Sequence, residues 1–120
     1  MGLPETETFP LCLRIRKRSE YLAIQGRGRK LESAHFLLFV RAATEGMAPT
    51  RVGFTVSKRV GGAVVRNRLK RRLREICRRN RRWFPTGFDL VLVAKPSARG
   101  VVFSQAASEI ELFSRRLQRR

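Results

Sequence analysis

Residues 66–82, RNRLKRRLREICRRNRR, hold ten Lys or Arg among seventeen positions, with Glu75 as the one acid between them. Guanidinium groups are permanently charged, fork-shaped donors, and a spaced row of them suits phosphate oxygens rather than proton transfer. At 100° per residue, Val65, Leu69, Leu73, Ile76 and Cys77 fall on one side of a helix, and Asn67, Lys70, Arg71, Arg74, Arg78 and Arg81 on the other. The spacing predicts a helix that docks one side on a core and presents cations on the opposite side. Other chemistry is poorly supplied. The nine acids are scattered, with Glu5, Glu7 and Glu20 near the start and Asp89 opening a strand, so no carboxylate cluster points to a metal-dependent nuclease. His35 is the only histidine, and a lone histidine reads as structural or surface rather than catalytic. Cys12 and Cys77 form no CxxC, which gives neither a disulfide framework nor a zinc site and suits a reducing cytosol. Cys77 reads as a small apolar residue at the edge of the buried helix face.

The whole composition agrees with the basic helix. Against 9 Asp+Glu stand 27 Lys+Arg, a formal charge of +18 on 120 residues. Such a chain repels itself in the compact state, so its natural partner is a polyanion, nucleic acid before anionic membrane. A hydrophobic share of 42% allows a modest core and argues against a wholly disordered basic tail. The opening MGLPETETFPLCL carries acids, and Pro10 breaks its apolar stretch, so it does not read as a secretory signal. No segment is long enough to span a bilayer, and Trp83 alone is insufficient to anchor a membrane-surface helix. A basic zipper fails because no heptad repeat follows the basic segment.

The elements that must position these cations follow from periodicity. Residues 1–13 read as a loose arm and residues 14–120 as one domain. Ser19 is a candidate N-cap for a two-turn helix with Tyr21, Leu22 and Ile24 on its apolar face, ended by Gly26 and Gly28. HFLLFVRAA reads as a buried strand with Phe36, Leu38 and Val40 on one face and Leu37 and Phe39 on the other. Gly46 and Pro49 mark a turn, and RVGFTVS alternates as a second strand, expected to form a hairpin with the first. Gly61 and Gly62 let the backbone turn into the basic helix, where a side chain would crowd an approaching phosphate. Pro85 and Gly87 stop that helix; the continuous run in FDLVLVAK predicts a central strand. From Ser104, a possible N-cap, Ala107, Ile110, Phe113 or Ser114, and Leu117 predict a last helix. The sum is an α+β sandwich, a small mixed sheet with about three helices, in which residues 52–93 form a strand, helix, strand crossover. Sheet twist alone would make that crossover right-handed. No P-loop or GxGxxG accompanies it.

Within this frame, residues 51–75, RVGFTVSKRVGGAVVRNRLKRRLRE, resemble the signature of the bacterial ribonuclease P protein subunit. The matching positions are Ser57, Lys58, Arg59, Gly61, Ala63, Val64, Arg66, Asn67, Arg68, Lys70, Arg71 and Arg74. A weaker likeness extends over about residues 14–118, through Tyr21, Phe36, Phe39, DLVLVAKP and the final amphipathic helix. The resemblance implies a ribosomal S5 domain 2-like fold with a crossover of the uncommon left hand. It implies a cytoplasmic protein, monomeric in a 1:1 complex with the catalytic ribonuclease P RNA, that helps remove the 5′ leader of precursor tRNA. The hydrolysis would be carried by that RNA and the Mg2+ it binds, with no catalytic residue or metal site in the protein.

Carried over by position, Arg66, Asn67, Arg68, Lys70, Arg71 and Arg74 would contact the catalytic RNA and the cleavage site, Asn67 adding an acceptor that Arg lacks. Arg78, Arg79, Arg81 and Arg82 read equally well as a solvated helix end. Tyr21, Phe36 and Phe39 would wall a leader cleft, because unpaired bases stack on aromatic faces. Core packing competes for each of them, most strongly for Phe36, which shares a face with Leu38 and Val40. Lys58 and Arg59 would meet leader phosphates. Two positions depart from the family: Gln25 stands where a second aromatic is usual, and Lys95 where Arg is common, which keeps charge but loses the fork. Composition alone fits a ribosomal or general single-strand RNA-binding protein equally well.

Overall fold

The computed structural model describes residues 29–42, 50–80, 84 and 87–119. Strands β1 (Arg29–Glu32), β2 (Phe36–Ala42) and β3 (Arg51–Val56) precede helix α1 (Ala63–Arg79); strand β4 (Phe88–Ala94), a short 3-10 turn (Pro96–Ala98) and helix α2 (Phe103–Arg119) follow. The expected first helix with Tyr21 and Gln25, the 1–13 arm, the turn at Gly46 and Pro49, and Arg81, Arg82 and Trp83 lie outside the described residues.

The strands form one mixed sheet in the order β1-β2-β4-β3, with β4 antiparallel to β2 and parallel to β3. The strand, helix, strand unit across α1 is therefore present. The expected hairpin between β2 and β3 is not, because β4 lies between them. Leu90, Val91 and Leu92 are buried on both faces of β4, and a strand apolar on both sides is best covered with a neighbour at each edge. The hairpin partner of β2 is instead β1, in the register Leu31 opposite Leu38. That strand escaped periodicity because its only apolar residue is Leu31.

One face of the sheet, with Phe36, Leu38, Val52, Val56, Leu90 and Leu92, packs against Leu69, Leu73, Ile76 and Cys77 of α1 and Ile110, Phe113 and Leu117 of α2. Side chains four and three apart on each helix share that inner stripe. Helix α2 begins before Ser104: the Ala106 N–H already donates to the Val102 carbonyl at 3.0 Å, which places Ser104 inside the helix instead of at its cap. Burial pushes the Cys77 thiol up to about 12, in keeping with an inert core residue.

His35 and Glu109 join the β1–β2 turn to α2. Glu109, buried, accepts from the His35 backbone N–H at 2.9 Å and from Gln105 Nε2 at 3.0 Å, and it contacts the Ser33 hydroxyl and His35 Nδ1. Burial by itself raises this carboxyl, but the hydrogen bonds from Ser33, His35 and Gln105 outweigh it and hold the group down at about 2.

Candidate nucleic-acid interface

Helix α1 starts at Gly62, whose extended backbone (φ −72°, ψ 179°) accepts from the Arg66 N–H at 2.9 Å without any side-chain cap. A Cβ on Gly61 would sit 2.9 Å from Val65 Cγ1, whereas one on Gly62 would meet nothing within 4 Å. Gly61 is thus required by packing against Val65, and the space it leaves is filled from within the protein rather than kept for a phosphate. Arg66 turns back along the helix start, its Nε donating to the Gly61 carbonyl at 3.1 Å.

The next turns present Asn67, Arg68, Arg71 and Arg74 to solvent, with Lys70 half-buried. Among the described residues none of these five has a hydrogen-bonding or ionic partner for its side chain. Farther along the same helix the pattern reverses. Glu75 takes Arg78 Nη2 and Arg79 Nε, each at 2.6 Å, and the hydrogen bond from Arg78 holds the Glu75 carboxyl below its usual range. The helix ends with Asn80 Nδ2 donating to the Ile76 carbonyl at 2.9 Å. The open cations of α1 therefore precede Glu75 and the compensated ones follow it. Sequence spacing had put Arg78 in the same row as Arg74.

Lys58 and Arg59 occupy a tight turn between β3 and α1, closed by Val60 N–H to the Ser57 carbonyl at 3.1 Å and pinned by the fully buried Val60. Both side chains are exposed. Their place in the chain continues the open cations of α1 toward the sheet.

The second face of the sheet carries a smaller apolar patch, Val91 with the half-buried Phe39 and Val93. Phe36 is not on it. With 0% exposure on the helix-covered face, Phe36 is a core residue and cannot wall a cleft, which corrects its assignment to the leader site. Two residues that were overlooked do lie on the Phe39 face: Arg41 and Arg51 flank Asp89 in register across three strands. Asp89 accepts from Arg41 Nη2 at 3.0 Å and from Arg51 Nε and Nη2 at 3.0 and 3.1 Å. Burial would raise Asp89, but the hydrogen bonds from Arg51 and Arg41 keep it low. The signal available in sequence was parity: Arg41 follows Phe39 by two, so both side chains point from the same face. Lys95, by contrast, is engaged, with Nζ 2.5 Å from Glu32 Oε2 and 2.7 Å from the Ser33 carbonyl.

The described carboxylates are all accounted for by these contacts, with Glu111 paired to Arg115 Nη2 at 3.1 Å. Each is matched by cations or hydrogen-bond donors, and among the described residues no three His, Cys, Asp or Glu gather as metal ligands. What the arrangement can do is bind phosphates along α1 and hold an unpaired base against Phe39.

Comparison with known proteins gives the arrangement a context. The Ribonuclease P family model matches residues 9–118. The ribonuclease P protein component of Geobacter sp. (strain M21) is 42% identical over 115 residues, covering 96% of this chain and 97% of the relative. That of Desulfovibrio desulfuricans is 42% identical over 113 residues, covering 92% and 87%. Among solved structures, the RNase P protein of Thermotoga maritima superposes with a TM-score of 0.78 at 33% identity, over 86% of this chain and 96% of that one.

Proposed function

The chain belongs to the ribonuclease P protein family, and from that premise we propose that it is the protein subunit of a bacterial ribonuclease P, assisting the endonucleolytic removal of 5′ leaders from precursor tRNA. Its partner is the catalytic RNA, in a 1:1 complex in the cytosol, and the hydrolysis belongs to that RNA with the Mg2+ that it holds. The observation that carries this reading is the run of open side chains on α1, Asn67, Arg68, Lys70, Arg71 and Arg74, with no carboxylate set against them among the described residues.

Physically, two polyanions must be brought together, and each phosphate neutralised by a fixed cation releases condensed counterions. Arg forks and the Asn67 amide supply direction as well as charge, so the first half of α1 orients the catalytic RNA beside the cleavage site. The leader runs along the Lys58–Arg59 turn toward the Phe39 face, where Arg41 and Arg51, fixed by Asp89, meet its phosphates. The family resemblance adds Tyr21 as a further stacking residue for the leader, and Lys95 supports the β1–β2 turn instead of contacting RNA.

The test is leader cleavage of precursor tRNA at low Mg2+ with bacterial ribonuclease P RNA alone, this protein alone, and both. Cleavage only with both is expected. RNA binding without rescue of cleavage would leave a general single-strand RNA-binding or ribosomal protein.

A further inference from the structure

A groove lies on the flank of α1 that carries Arg68 and Arg72, beside the flank of Asn67 and Arg71. Its volume is about 400 Å³, within the ~300–1,000 Å³ typical of small-ligand sites. Val65, Arg68, Leu69 and Arg72 form one wall, Arg99 and Val102 the other. The groove is built rather than incidental. Ala98 and Val101 are buried and anchor the loop, Arg72 Nη1 reaches the Val101 carbonyl at 3.3 Å across the gap, and Gly100 makes the turn with a φ of 80°. Three guanidinium groups line this space, and no carboxylate among the described residues does. Arg68 and Arg99 have no side-chain partner among the described residues. Apolar surface is also left open at the rim: Val102 is 61% exposed and Val64, one residue before Val65, 70%.

An apolar floor under a cationic rim is complementary to a group that is flat and apolar at one end and anionic at the other. We propose that this groove takes a single unpaired nucleotide of the partner RNA, its base against Val65 and Val102 and its phosphate between Arg68 and Arg99. Unstacked bases are held in this way on guanidinium planes and apolar side chains. A duplex is too wide for a pocket of this size, which selects a bulged or single-stranded nucleotide. Arg68 and Arg72 share this flank while Asn67, Arg71 and Arg74 share the neighbouring one, so one RNA strand crossing α1 meets both. The inference rests on the RNA-binding reading of α1 and adds residues 98–102 to it.

The test uses the full chain with bacterial ribonuclease P RNA. A photo-cross-linking benzoylphenylalanine placed at Val102 should cross-link to the RNA in the assembled complex, and the same group at Leu112, exposed on the outer side of α2, should not. Arg99→Ala should weaken binding about fivefold and make the dependence of log affinity on log salt shallower by ~0.7, with Arg99→Lys restoring the slope. Equal cross-linking at both positions, or an Arg99→Ala variant with parental affinity and slope while the parent still rescues leader cleavage, overturns the groove alone. Failure of the parent to bind the RNA at all overturns the functional reading and the groove with it.

Discussion

Replacing Arg71 and Arg74 together by Ala, and comparing that variant with the double replacement of Arg78 and Arg79, separates an addressed phosphate face from simple positive charge. Each pair removes two cations from the same helix, so the change in net charge is identical. The surroundings differ: Arg71 and Arg74 project into solvent with no partner among the described residues, whereas Arg78 and Arg79 are bound to Glu75 at 2.6 Å. If Arg71 and Arg74 each meet one phosphate, the slope of log affinity against log salt drops by about 0.7–0.9 per contact, or about 1.6 for the pair. Across a fourfold rise in salt, the parent then loses about ninefold more affinity than the variant. For Arg78 and Arg79 the slope should stay within about 0.5 of the parent, because these guanidinium groups already have a carboxylate. Binding of labelled bacterial ribonuclease P RNA, titrated at several salt concentrations, measures the slope, and the melting temperature checks that neither variant has lost its fold. Equal slope changes in the two doubles would show that the protein is held by its overall charge, and the division of α1 into open and compensated halves would then have no functional meaning.

Gly61→Ala should lower stability by about 1–2 kcal/mol, since the new methyl meets Val65 Cγ1 at 2.9 Å in a packed site, while Gly62→Ala should be close to neutral in urea denaturation. The Glu109 carboxyl, held at about 2 in the folded chain against an ordinary value near 4.5, contributes stability that is fully present above pH ~4.5 and is lost as pH falls toward 2. At about 1.4 kcal/mol per unit this amounts to no more than ~3.5 kcal/mol, and Glu109→Gln should flatten the acid limb of a denaturation series between pH 3 and 7. Asp89→Asn should cost about 2–3 kcal/mol, below the range for a fully buried pair because Arg41 and Arg51 stay partly exposed, and should weaken leader binding by loosening both guanidinium groups. Parental stability and leader affinity for that variant would remove the triad from the account.

What was legible in the sequence depended on how far each signal reached along the chain. The inner stripe of α1 was readable because its residues recur every three or four positions, and β4 because four consecutive apolar residues leave a central strand as the simplest reading. Pairing across the sheet was not readable in that way. The turn between β2 and β3 is compatible with a hairpin locally, and only the need to cover both edges of β4 rules it out. Strand β1 has one buried side chain, too few for periodicity, and is held by its ladder to β2. At the candidate site, the type and spacing of the α1 cations were plain. Their division into two halves was not, because it depends on which guanidinium groups Glu75 can reach. Phe36 and Phe39 differ by three positions in the same strand and so face opposite sides. Sequence named both aromatics, and it took the location of the helices to tell the fully buried Phe36 from the half-buried Phe39.

Acid placement is what gives this chain an orientation. With 27 basic residues, cations cover much of its surface, and their number says little about where RNA is held. Glu75 neutralises the end of α1, Asp89 fixes two arginines at the margin of the sheet, Glu32 engages Lys95, Glu111 takes Arg115, and Glu109 is enclosed with His35. None of these five pairs with Arg68, Lys70, Arg71 or Arg74, which stand on a helix anchored by Leu69 and Leu73 and so cannot relax toward a carboxylate elsewhere. Coulomb attraction between exposed charges is screened within about 8–10 Å at physiological salt. A compensated pair farther away therefore contributes little at the RNA surface, whereas uncompensated guanidinium groups on one rigid flank act together. On the proposed reading, the net charge draws a polyanion from a distance, and the scarcity of acids among the described residues around Arg68, Lys70, Arg71 and Arg74 sets which side of the protein it meets.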